Sequence, residues 1–164
     1  MYDYQFPDSN HTALVQLRQT SSAIYKLAER KLAKIGLTPI KTYVLLLCKE
    51  CNGPLTPAEI SRSLFRESQT IAALLARMEK EGLIRRIPKR KGHPFTEVLI
   101  TEKGKEVWYK GVKAVVAFVE DTMSAFSAEE LEQLGELLRK LRQKTLEELH
   151  LELMPQPDWA LGRV

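Results

Sequence analysis

Along much of the chain, apolar residues recur every three or four positions, and where the pattern lapses a glycine, proline or hydroxyl residue stands in its place. Between residues 11 and 35, Leu14, Leu17, Ile24, Leu27, Leu32 and Ile35 mark one face of an amphipathic helix, which Gly36 ends. Thr38 offers a cap hydroxyl and Pro39 takes the first helical position, where a missing N–H costs nothing. The helix that follows is so apolar through Tyr43, Val44, Leu45, Leu46, Leu47 and Cys48 that burial on most sides is expected, up to the break at Asn52-Gly53-Pro54.

Three start signals coincide at Thr56-Pro57-Ala58-Glu59: a cap threonine, a proline in the first turn, and a glutamate that closes a capping box. The short helix they open has Ile60 and Leu64 inward. After Phe65-Arg66-Glu67 a longer helix runs from about Ser68 to Glu81, with Ile71, Leu74, Leu75 and Met78 inward and Gly82 as its stop. Short helix, three-residue turn and longer helix form a helix-turn-helix pattern. LIRRIP and PFTEVLI then read as two short strands joined by Lys89-Arg90-Lys91-Gly92-His93, a hairpin or wing. Thr101 caps a helix reaching about Ser124 through Val107, Trp108, Val112, Val115, Val116 and Val119. Ser127-Ala128-Glu129-Glu130 opens a last helix with Leu131, Leu134, Leu137, Leu138, Leu141, Leu146 and Leu149.

The fold class expected is mainly α with a small β-hairpin wing: a winged helix-turn-helix lobe over residues 38–100, and a helical dimerisation region from 11–36 with 101–150. Together they make one domain within 1–164, with 151–164 as a C-terminal tail. Two long helices after the wing are more than one core needs, and their surplus apolar faces predict a homodimer.

Charge sharpens this picture. Residues 56–105 hold 11 Lys and Arg against 6 Asp and Glu, whereas 106–164 hold 7 against 11. The basic middle suits a polyanion and the acidic end does not. Residues 83–96 contain Arg85, Arg86, Lys89, Arg90 and Lys91 and no acid, so the wing is suited to phosphates and to a narrow minor groove. With its apolar stripe inward, the helix from Ser68 presents Gln69, Ala72, Ala73, Ala76, Arg77 and Lys80 outward, with Ser68 and Thr70 at its start. Small residues allow close approach, Gln69 can bond an adenine edge, and alanines can touch thymine methyls. Duplex DNA is the partner these positions predict, with Ser68, Gln69, Thr70, Ala72, Ala73, Arg77, Arg86, Lys89, Arg90 and Lys91 as contacts.

LTPAEI, RESQTIAALLARMEKEGLIRR and TEVLITEKGKEV together resemble the MarR family of multiple-antibiotic-resistance-type regulators, and the likeness extends over nearly the whole chain. The resemblance implies a prokaryotic transcriptional regulator, most simply a repressor. It would act as an obligate dimer, joined through the first and last two helices, on a near-palindromic operator. It also implies a small, often aromatic or phenolic effector between the dimer region and the DNA-binding lobe, for which Tyr25, Tyr43, Trp108 and Tyr109 are the candidate contacts. Three features depart from the family pattern. The wing reads PKRKGHPF without the usual Asp-x-Arg, Ala73 stands where arginine is common, and Phe65-Arg66-Glu67 occupies a turn that often holds glycine.

Other chemistry has little to stand on. Cys48-Lys49-Glu50-Cys51 has a CxxC spacing, but it lies near a helix C-terminus, where the dipole raises thiol pKa values; oxidant sensing through Cys48 and Cys51 is the alternative to simple burial. His11, His93 and His150 are scattered singly, so no metal and no cofactor is predicted. GxSxG, HExxH and phosphate-loop motifs are absent, and no enzyme is expected; a winged-helix protein-interaction module is the other alternative. The absence of a roughly 18-residue apolar span or of a signal-like start predicts a cytoplasmic protein with no membrane partner.

Overall fold

A computed structural model describes residues 5–50, 55–88 and 96–151. Six helices and one hairpin follow in the order α1 (Ser9–Ala33), α2 (Pro39–Glu50), α3 (Pro57–Leu64), α4 (Ser68–Lys80), β1 (Ile84–Ile87), β2 (Glu97–Ile100), α5 (Glu102–Met123) and α6 (Ala128–Glu148). Local chemistry sets most boundaries. Asp8 caps α1 by accepting the Asn10 N–H, and its carboxyl is held below the ordinary range by that bond first and by the His11 ring second. Complete capping boxes start α3 at Thr56 with Glu59 and α6 at Ser127 with Glu130. The Thr101 hydroxyl accepts the Gly104 N–H at the head of α5 and donates back to the Gly82 carbonyl, tying that helix to the turn below α4.

The core lies inside the helix-turn-helix lobe. Val44 and Leu45 of α2, Ile60 of α3, Ile71, Leu75 and Met78 of α4, Ile84 of β1 and Val98 of β2 are almost wholly buried together. This is the 3.6-residue stripe expected of α4, now packed on α3, while α2 lies against α5 and β2. Close approach at that crossing depends on glycine. A Cβ on Gly104 would sit 2.0 Å from the Leu83 carbonyl oxygen, so the start of α5 rests directly on backbone leading into β1.

One helix is less buried than the sequence predicts, and two more carry apolar stripes that the single chain leaves uncovered. In α2 only Thr42, Val44 and Leu45 are buried, because its other side looks toward a cavity beside α1 and α5, leaving Tyr43 exposed. In α1 the apolar stripe is present but only Leu32 is buried, and Leu14 is 62% exposed. The same holds for α6, where Leu146 is buried while Leu131, Leu137, Leu138 and Leu141 are exposed. Within one chain these faces have nothing to pack against. α1 also ends two residues earlier than its pattern, since the Leu37 N–H returns to the Leu32 carbonyl and Gly36 adopts a positive φ of 73°.

Candidate nucleic-acid interface

The tight turn into α4 is made without glycine. Phe65 closes α3 in the left-handed region at φ 50°, its N–H returning to Arg62 and that of Arg66 to Ser61, while its ring stays 63% exposed. Glu67 then precedes α4, and its own side chain makes no cap hydrogen bond to the first N–H groups of the helix. Beyond it Ser68, Gln69, Thr70, Ala72, Ala73, Ala76, Arg77 and Lys80 are all exposed along the arc opposite the buried stripe. The predicted readout residues thus share one face, and Arg77 makes no ion pair with any described residue.

At the other end α4 is anchored. Glu81 takes Lys41 at 2.7 Å to both carboxylate oxygens, and the Lys103 ammonium donates to the Glu81 carbonyl at 2.8 Å. After Gly82, β1 pairs antiparallel with β2 in the register Ile84↔Ile100, Arg85↔Leu99, Arg86↔Val98 and Ile87↔Glu97. Arg85 is exposed, but Arg86 is engaged: its Nε and Nη2 donate to Glu79 Oε2 at 2.8 and 2.6 Å, and its backbone N–H donates to Glu79 Oε1 at 2.8 Å. These bonds hold the Glu79 carboxyl below the usual range. Glu79 is the partner of Arg86 that motif reading misses. The sequence shows only that the run 83–96 is free of acid, so an arginine there that forms an ion pair must find its carboxylate outside the run. Lys89, Arg90 and Lys91, assigned to the wing tip, lie outside the described residues.

Of the four aromatics proposed for an effector, Tyr43 and Trp108 line an apolar cavity of about 370 Å³ between α1, α2 and α5, together with Leu32, Val112, Val115 and Phe118. Tyr25 and Tyr109 do not line it. Tyr109 meets Trp108 edge-on at 4.9 Å between centroids, and Lys49 lies 5.6 Å from the Trp108 ring. The buried Trp108 Nε1 has no hydrogen-bond partner among the described residues. Cys48 is half-buried against the core, and Cys51 lies outside the described residues. Among the described residues no group of three or more His, Cys, Asp or Glu side chains could hold a metal ion. No described helix is long and apolar enough to cross a membrane.

A helix-turn-helix whose second helix exposes small and polar side chains, followed by a two-stranded hairpin, defines a winged helix-turn-helix protein. Residues 35–93 match the family model of the MarR family. The HTH-type transcriptional regulator YwoH of Bacillus subtilis (strain 168) is 26% identical over 137 residues, covering 82% of this chain and 97% of that protein. Among solved structures, the organohalide-sensing regulator RdhR-CbdbA1625 bound to 2,4-dichlorophenol superposes with a TM-score of 0.79 at 24% identity, covering 95% of this chain and 98% of that one. MepR of S. aureus, in complex with DNA, gives 0.73 at 22% identity over 84% of this chain and 99% of that one. The chain is thus similar over residues 35–93 to the MarR family, and its fold is that of the winged helix-turn-helix regulators on which it superposes.

Proposed function

We propose that this regulator represses transcription as a homodimer on a near-palindromic operator, and that a small apolar ligand in the α1/α2/α5 cavity releases it. The observation that carries the reading is the outward arc of α4. Ser68, Gln69, Ala72, Ala73 and Arg77 are exposed together, on a helix held by the core at Ile71, Leu75 and Met78 and by Glu81 at its end. Gln69 and the two alanines would read base edges, Ser68, Thr70 and Arg77 would hold phosphates, and Lys89, Arg90 and Lys91 would extend the contact from the hairpin. Residues 38–100 would form the DNA-binding lobe, and 11–36 with 101–150 the dimerisation region. The uncovered apolar faces of α1 and α6 support a second copy as partner, and a two-fold dimer would set its α4 helices about 34–36 Å apart, one turn of DNA.

The ligand half of the proposal rests on the cavity. Its lining is mostly aromatic and aliphatic, with Lys31 and Thr42 the exceptions, and the organohalide-sensing relative above holds a chlorinated phenol. Because α1 and α5 belong to the dimer region and α2 to the DNA-binding lobe, filling the space between them would change the separation of the two α4 helices. Fluorescence anisotropy on the duplex upstream of its own gene and on a scrambled duplex, across a salt series, tests the whole. Tight, salt-steep binding that prefers the native duplex and weakens with 2,4-dichlorophenol is expected. Equal weak binding to both duplexes would count against sequence-specific regulation at that site.

A further inference from the structure

Two-stranded hairpins are marginal structures by themselves, since each strand has an unpaired edge. In this chain both edges of the hairpin root are occupied at the same rung. Arg86 and Val98 face each other across the ladder, and neither N–H goes to the other strand. Such groups at a non-hydrogen-bonded pair point away from the hairpin. The Val98 N–H is taken by the Leu55 carbonyl at 2.8 Å, just ahead of α3, and the Arg86 N–H by the Glu79 carboxylate, which also receives the Arg86 guanidinium. The first link is backbone alone; the second depends on two side chains.

We propose that Glu79 and Arg86 are positioning residues, a brace that fixes the angle of the hairpin to α4, and that Arg86 acts through Glu79 rather than on a phosphate. Several features support this assignment. Glu79 lies in the last turn of α4, where the helix dipole disfavours a carboxylate, so an acid there needs a cation of its own. Three donors from one residue converge on its two oxygens, a geometry that a lysine could not reproduce. Arg85, the next residue along β1, is exposed with no described ion pair, and it has the freedom that Arg86 lacks.

This inference rests on the DNA-binding reading above, and Glu79→Gln separates the two possible roles by sign. If Arg86 were a phosphate contact held in reserve, removing the carboxylate would release it and delete a repelling charge. Duplex affinity would then rise, and the salt slope would steepen by about 0.9. A brace predicts the opposite: affinity falls roughly fivefold to tenfold despite the added positive charge, Arg86→Lys falls by a similar factor, and the double variant loses little more than either alone. Hydrogen exchange of the free protein provides a readout without DNA. Both variants should speed exchange in 84–87 and 97–100 while leaving α6 unchanged. Failure of the unaltered protein to bind any duplex would sink the functional reading, and the exchange result would still decide the brace. Unchanged exchange in the hairpin, or equal or higher affinity in Glu79→Gln, overturns the proposal.

Discussion

Phe65 opens the three-residue turn between α3 and α4, and the chain holds a left-handed φ there with a bulky side chain. A non-glycine residue in that region costs about 1–2 kcal/mol, so α3 and α4 must hold the turn through their own packing. The sequence marks the turn by the three residues between two helical patterns; the positive φ cannot be read from Phe65, which normally avoids it. Gly104 presents the converse case. It reads as an ordinary helix glycine, yet a side chain there would collide with the Leu83 carbonyl and lie 2.8 Å from Ile100. Gly104→Ala should destabilise the protein by about 3 kcal/mol or more, measurable by chemical denaturation, because backbone rather than a movable side chain lies in the way. On α4, Gln69→Ala should reduce discrimination between operator and scrambled duplex by about 1–3 kcal/mol, while Arg77→Ala should weaken both alike and lower the salt slope by about 0.9; anisotropy titrations measure both. Equal losses on both duplexes from Gln69→Ala would remove it from base readout.

At the scale of elements, the helix-turn-helix was legible because its signals are local: a capping box at Thr56, a stripe at Ile71, Leu74, Leu75 and Met78, and Gly82 as a stop. The link between α4 and β1 was not legible, since salt-bridge partners seven residues apart across a turn follow no fixed period. That link carries a pH signature. The Arg86 bonds lower the folded Glu79 pKa, so their stabilisation is full above the unfolded glutamate value of about 4.3 and is lost as pH falls through the lower folded value. A carboxyl carbon titration by NMR should place the Glu79 midpoint below the ordinary glutamate value of about 4.3, and Arg86→Lys should move it upward. A midpoint in the ordinary glutamate range would mean that the pair does not persist in solution.

Over the whole molecule the apolar surface is unevenly closed. The helix-turn-helix lobe has a sealed core, whereas α1 and α6 expose leucines along continuous faces, with Leu137 66% exposed. A second copy is the occupant proposed for these faces. Replacing Leu137 and Leu141 together by glutamate should shift the protein to monomer in sedimentation equilibrium and remove the dependence of Tm on protein concentration. The same variant should lose operator affinity with α4 untouched, because one α4 alone reaches half of a two-fold site. A wild-type protein that sediments as a monomer at micromolar concentration would rule out the dimer.

Sequence alone determined the order of the helices, the position of the hairpin and the outward face of α4, because periodicity, capping and turn chemistry act within a few residues. Tertiary structure decided the rest. It turned Arg86 toward Glu79, brought Tyr43 and Trp108 to a shared cavity while keeping Tyr25 and Tyr109 off its walls, and left the stripes of α1 and α6 uncovered. Those outcomes depend on how separate elements cross in space. An apolar stripe looks the same in sequence whether its partner is the next helix of the same chain or a helix of another.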